Sequence, residues 1–275
     1  MIEKVLLLSH LDGIMKKILA VVNLIVFSGM LYLNYLGGAG KINGIGTGEV
    51  SGMYPTLFTP AGFTFSIWGI IYLFNLSFVF HQLYKAFKLP ENFDPRLNQG
   101  FFFISVTNAV WILAWHRLAI GYSLFLMLML LVFLIATYWQ STRPKYRTEY
   151  ITEYVNFSVY LGWISVATIA NIAIFLTTVG VAPYGSIAAM LTVLVILVAI
   201  GLAIYFILGQ SNIWYALVIL WASYGIYAAR DSAIMSNDIV TAPEGTTTVK
   251  MIAIIGTFII FAGLVYYRII NRKKV

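Results

Sequence analysis

YVNFSVYLGWISVATIANIAIFLTTVGVAPYGSIAAMLTVLVILVAIGLAIYFILGQSNIWYALVILWASYGIYAA, residues 154–229, contains no Asp, Glu, Lys or Arg over 76 positions. A hydrocarbon core about 30 Å thick takes roughly 20 apolar residues per helix, so this stretch has room for three crossings. Turn formers interrupt it twice, at Gly180-Val-Ala-Pro183 and at Gly209-Gln-Ser-Asn212, which are the places where three crossings need to turn. Upstream, Ile18 to Gly40 reads as a first span. Val50 to Tyr84 reads as a second with a loop section up to Pro60, and Leu97 to His116 and Leu118 to Thr142 read as a third and fourth. Only Arg117 separates the last two, which predicts a tight antiparallel hairpin. Downstream, a polar segment from Arg230 to Lys250, with Asp231, Asp238, Pro243 and Glu244, precedes a final span from Met251 to Arg268. The expected fold is all-α, a polytopic transmembrane bundle of eight helices.

Composition allows no other solvent than a bilayer. The 275 residues are 61% hydrophobic and 10% charged, with a mean hydropathy of +0.89, too little polar surface to cover a soluble globule. The net charge of +7 does not signal nucleic acid, because the basic residues are confined to short loops and the C-terminus. Their sides alternate. The N-terminus (Lys4, Lys16, Lys17), the second loop (Lys85, Lys88, Arg96), the fourth loop (Arg143, Lys145, Arg147) and the tail (Arg268, Arg272, Lys273, Lys274) hold 13 of the 17 Lys and Arg. Lys41, Arg117, Arg230 and Lys250 fall on the other side. The positive-inside rule then puts both termini in the cytoplasm, in what reads as a bacterial cytoplasmic membrane. The apolar stretch after Lys16 and Lys17 is too long for a cleavable signal peptide and reads as a retained helix.

Ionisable residues inside a membrane mark function. Here the candidates fall at span ends: His81 and His116 close to Lys85 and Arg117, and Glu153 at the start of the fifth helix. They read chiefly as interfacial anchors, with His116 able to pair a ligand carboxylate. No proton relay, retinal lysine or catalytic set is expected, since Lys250 sits at a loop boundary. There is no Cys, and the three His lack metal-ligand spacing, so no metal site is expected. Gly37-Gly-Ala-Gly40-Lys41 follows no strand and reads as a loop rather than a phosphate cradle.

Polar and indole groups at helical spacing remain. Trp68, Tyr72 and Asn75 lie at i, i+4 and i+7 on the second helix. Asn108, Trp111 and Trp115 lie at i, i+3 and i+7 on the third, and Trp163, Ala167 and Asn171 at i, i+4 and i+8 on the fifth. Each set shares a face. An Asn facing lipid is costly unless paired, so the three faces are expected to turn inward. Two roles fit them: gluing the bundle together, or walling a pocket in which indoles and a few amides hold a flat apolar ligand.

The same residues resemble a family, the TspO/MBR proteins (translocator or tryptophan-rich sensory proteins). Tyr54-Pro55-Thr-Leu-Phe-Thr-Pro60-Ala-Gly-Phe-Thr-Phe-Ser-Ile-Trp68-Gly-Ile-Ile-Tyr72 is similar to the family's proline-rich entry to the second helix. Asn108-Ala-Val-Trp111 is similar to its third-helix Asn-x-x-Trp. Tyr160-Leu-Gly-Trp163-Ile-Ser-Val-Ala167-Thr168-Ile-Ala-Asn171 is similar to its fifth-helix signature. The resemblance covers about residues 15–180. It implies a five-helix ligand-binding core at 1–180, followed at 181–275 by three additional helices without a counterpart in a five-helix family and a basic cytoplasmic tail.

By the same resemblance the pocket would take a porphyrin, a haem-like tetrapyrrole or another flat hydrophobic molecule, with no cofactor required. Trp68 and Trp163 would be pocket indoles, Asn108 a polar contact and Ala167 a close wall; Tyr72, Trp111 and Asn171 share their faces. Pro55 and Pro60 would stiffen the first loop, either as a lid or as a helix-entry turn. The chain departs from the family's pattern at Thr59, where a proline is usual, and at Gly62, where an aromatic is. The reading is a membrane sensor or regulator, with a transporter or export facilitator of small hydrophobic molecules as the alternative. Light-driven oxidative breakdown of a bound porphyrin ranks last, since no acid, base or nucleophile is placed to assist. The partners expected are the lipid bilayer, the small molecule and a possible second copy of the chain.

Overall fold

The computed structural model describes residues 2–237 and 242–272. Asp238, Lys273 and Lys274 therefore lie outside the described residues, as do the side chains of Lys4 and Arg272. Eight long helices run in order: α1 (Ile2–Gly38), α2 (Ile67–Lys88), α3 (Pro95–His116), α4 (Ile120–Ser141), α5 (Asn156–Thr178), α6 (Ser186–Leu208), α7 (Ile213–Asn237) and α8 (Thr246–Arg272). The first loop holds a short helix, Thr47–Gly52, and a 3-10 turn, Gly62–Ser66, that leads into α2. Helix α1 starts well before Ile18, where the apolar run begins, because a helix already formed by the hydrophobic segment gains one hydrogen bond for each residue added, which carries it back through Leu11, Met15, Lys16 and Lys17 despite Gly13. Among the described residues, seven helical stretches are long and apolar enough to cross a membrane. Helix α7 is as long, but Trp214, Tyr215, Trp221, Tyr224, Tyr227, Arg230 and Asp231 dilute its apolarity.

The ends are set by local chemistry. Asp94 caps α3, its carboxylate accepting the N–H groups of Arg96 (2.8 Å) and Leu97 (3.4 Å), and Pro95 occupies the first turn, where no donor is needed. The hairpin around Arg117 closes through Leu118 at φ +56°. In the turn after α6, the Asn212 side chain accepts from the N–H groups of Trp214 and Tyr215 and donates to the Tyr138 hydroxyl and Ser158 Oγ. One buried amide thus starts α7 and ties it to α4 and α5. Helix α5 is entered through a π-helical segment, Tyr150–Val155.

Packing is continuous from Phe27 to Ile260 in one hydrophobic cluster. Helix α1 packs on α3, α3 on α4, α4 on α5, and α7 lies between α5 and α8. Gly162 permits the α5–α7 approach: a Cβ there would meet the Val218 side chain at 3.0 Å and the Tyr215 carbonyl at 3.2 Å. The outside is apolar as well, with Leu73, Val132, Ile187 and Phe258 all exposed. In water such an all-round apolar surface aggregates, whereas in a bilayer it faces lipid.

Candidate functional site

Helical spacing on α2 and α3 builds a ladder of rings. Tyr72 stacks on Trp68 (centroids 5.6 Å, planes 24° apart), Trp68 on Trp111 (6.1 Å, 28°) and Trp111 on Trp115 (5.8 Å, 22°). Helix α5 turns two rings edge-on to Trp68, those of Tyr160 (6.0 Å, 77°) and Trp163 (6.2 Å, 84°). Phe65, from the 3-10 turn, meets Trp163 edge-on at 5.8 Å. These offset and edge-on pairings are the ones aromatic quadrupoles favour. Between the rings lies a cavity of about 30 Å³ walled by Pro60, Phe65, Trp68, Trp111, Trp115, Trp163, Ala167 and Asn171. It is large enough for about one water molecule. It shares Thr47, Phe65, Trp68 and Trp111 with an open mouth of about 540 Å³, which also takes in Asn34, Glu49 and Tyr72.

Amides orient the walls. Asn34 Nδ2 donates to Asn108 Oδ1 (2.7 Å), and Asn108 Nδ2 donates to the Tyr160 hydroxyl (2.9 Å), which links α1, α3 and α5. Asn171 accepts from Ser123 Oγ (3.1 Å) and donates to the Ala167 carbonyl one turn back. The indole N–H groups of Trp111 and Trp163 are buried and meet no acceptor among the described residues. An orphaned buried donor is costly, so a ligand or water that brings an acceptor gains there.

The structure thus brings Trp68, Trp111, Trp163, Ala167, Asn171 and Pro60 to one cavity and places Tyr72 at its mouth. Asn108 is fully buried behind the wall as an organiser. Pro55 is exposed and lines neither space. Asn75, which shares a face with Trp68, is buried without a partner among the described residues and does not line the cavity. Sequence spacing gave no role to Thr47, Ser51 and Phe65, which come from the first loop, where no helical period exists to reveal them. Nor did it give one to Asn34, whose helix lacks an indole.

Two expectations about charge are corrected. His116 is not an interfacial anchor: it is fully buried, its Nε2 lies 3.0 Å from Thr47 Oγ1, and its carbonyl accepts from Asn43 Nδ2 at 2.6 Å. With the Trp115 indole donating to the Thr47 carbonyl, it pins the first loop over α3. The bundle also buries Lys85, Glu149 and Glu153 (4%, 6% and 7% exposed). Lys85 Nζ lies 2.7 Å from a carboxylate oxygen of each glutamate. Gln82 donates to Glu153, Asn98 to Gln82, and Asn23 to Asn98. Lys85, Glu149 and Glu153 look terminal in the sequence because each is within two turns of a helix end, but Asn23 from the middle of α1 and Asn98 from α3 close over them. His81 offers a ring nitrogen within 4.8 Å of oxygens of both glutamates, with the Lys85 ammonium already paired to both.

Fold and site together define a helical integral membrane protein with an aromatic cavity among its helices. A family model described as TSPO-like protein matches residues 20–266, and the chain belongs to that family. No curated protein and no solved structure matches it. The match runs through α6, α7 and into α8, so the helices expected to lack a family counterpart fall inside the family's extent.

Proposed function

We propose that the protein is a membrane sensor or regulator that binds a flat, hydrophobic, acceptor-bearing molecule of the porphyrin class between α2, α3 and α5. The observation that supports this most is the stacked row Tyr72–Trp68–Trp111–Trp115, ending at a mouth of about 540 Å³. A planar ligand stacks on such a row with its apolar face, and the unpaired indole N–H groups meet its acceptors. The enclosed part is too small for the whole ligand, so entry requires the rings or the first loop to shift. Both termini are proposed to be cytoplasmic, from the loop charges, and the membrane to be a bacterial cytoplasmic one.

Titrating the purified protein with protoporphyrin IX while following Trp fluorescence tests this. Saturable quenching is expected, with affinity lowered about tenfold or more in Trp163→Ala, since stacked and edge-on ring contacts each contribute about 0.5–1.5 kcal/mol beyond area. Absence of saturation, or equal quenching in the variant, rejects it. One observation favours transport as a second reading. Along α2 and, in reverse, along α5, the aromatic cavity is followed by a layer of Phe27, Phe78, Phe101 and Phe157, with closest centroids 4.7 Å apart, and then by the Lys85 cluster. A polar zone beyond an apolar plug suits a gated path. Porphyrin flux into proteoliposomes supports it, and binding without flux excludes it.

A further inference from the structure

Helix α7 holds the loop that roofs the cavity, although it contributes no residue to the cavity itself. Arg230, near its end, donates from Nη1 to the Thr56 carbonyl (3.0 Å) and from Nη2 to the Thr59 carbonyl (3.3 Å). One turn earlier, the Gly225 carbonyl accepts from the Ala61 N–H at 3.0 Å. A turn before that, the Trp221 indole donates to the Thr64 carbonyl at 3.0 Å, with Phe63 edge-on to it at 5.3 Å. Four hydrogen bonds from three positions about a turn apart on α7 therefore run along loop residues 56–64, and two of the loop residues that roof the cavity, Pro60 and Phe65, lie among and just after the residues so held.

The attachment is specific in shape and charge. A Cβ on Gly225 would collide with the Thr64 hydroxyl, so only glycine lets loop and helix approach this closely. Among the described residues, the Arg230 guanidinium meets no carboxylate, and the neighbouring Asp231 is taken by Lys250 of α8. The guanidinium is left for main-chain carbonyls, and its fork can span two of them. Opposite, Trp115 and His116 pin Thr47. The roof is anchored on both sides, by α3 and by α7.

We propose that Arg230, Gly225 and Trp221 are positioning residues that hold the first loop as a lid and thereby set how fast a ligand enters and leaves the aromatic cavity. The α6–α8 unit is thus the lid's fixed support. This rests on the cavity being the binding site, so the test separates the two. Hydrogen exchange at residues 56–64, read without ligand in detergent-solubilised full-length protein, is compared between the native chain, Arg230→Gln, Arg230→Lys and Gly225→Ala. In parallel, protoporphyrin IX release is followed by recovery of Trp fluorescence.

Roughly tenfold faster exchange of the Ala61 and Thr59 amides and faster release are expected in Arg230→Gln and Gly225→Ala, since a hydrogen bond from a charged donor to a carbonyl is among the stronger ones. Partial return is expected in Arg230→Lys, which keeps the charge but not the fork. Melting of α1–α5 is expected to stay as in the native chain, which distinguishes a loosened lid from general unfolding. Loop exchange unchanged in both Arg230→Gln and Gly225→Ala overturns the proposal whether or not porphyrin binds. Faster loop exchange with unaltered release overturns the coupling to the cavity. If the native chain takes no porphyrin, the proposed function fails, and the exchange comparison still decides the lid.

Discussion

Lys85 shows how much a single side chain in this bundle depends on its neighbours. Its ammonium is buried between Glu149 and Glu153, and inside a membrane protein two carboxylates without their cation are strongly destabilising. Removing one partner of a buried pair typically costs about 3–5 kcal/mol, whereas replacing all partners with neutral groups is near neutral. Lys85→Met is therefore expected to lower the thermal midpoint in detergent sharply. Lys85→Met combined with Glu149→Gln and Glu153→Gln is expected to recover most of the loss. A single variant as stable as the native chain would mean that the cluster is solvated and not a closed network. The contrast with Asn108 is instructive. That amide spends its oxygen on Asn34 and its N–H on Tyr160, so its role is complete without a ligand. The indoles of Trp111 and Trp163 have unspent donors, which are the groups the proposed ligand would meet.

At the scale of helices, spacing on α2, α3 and α5 picks out the indoles that wall the cavity, along with Asn75 and Asn108, which do not line it, because a helix repeats its face every three to four residues and a buried indole or amide stands out against an apolar background. The turns were equally legible, since Gly180, Pro183, Gly209 and Asn212 break helices by local chemistry alone. What was not legible came from contacts between distant segments. The first loop gives no period, so Thr47 and Phe65 could not be placed. Lys85 and Glu153 lie 68 positions apart, so charges that look peripheral along the chain meet in the interior only after α2 and α5 pack. Gly162 belongs to this class too: it is one small residue among many on α5, and its role shows only once α7 lies against it. Gly162→Leu is expected to push α7 off α5, because overpacking a tight contact costs typically about 1–3 kcal/mol. Limited proteolysis should then cut the loops at 179–185 and 209–212 several-fold faster while α1–α4 stay protected. Uniform resistance would show that the approach has slack.

Taken as a whole, the chain invites a division near residue 180, where the resemblance to a five-helix family stops, yet the family match continues to residue 266 and one hydrophobic cluster spans both sides. In lipid, helices gain nothing from hiding apolar surface from one another, so what keeps α6–α8 on the rest must be close packing and hydrogen bonds. The structure supplies both: Gly162 under Val218, Asn212 between Tyr138 and Ser158, and Arg230, Gly225 and Trp221 on the first loop. Preformed helices with such contacts are expected to reassociate without a covalent link. A chain cut after Val181, with the fragments 1–181 and 182–275 expressed together, should therefore copurify in mild detergent. The pair should bind protoporphyrin IX like the intact protein. Fragment 1–181 alone keeps all the cavity walls but loses the helix that holds its roof, so it should bind more weakly and release faster. Copurification that survives Gly162→Leu combined with Arg230→Gln would show that other contacts join the halves. A lone 1–181 fragment that matches the intact chain in release rate would leave the last three helices with no part in binding.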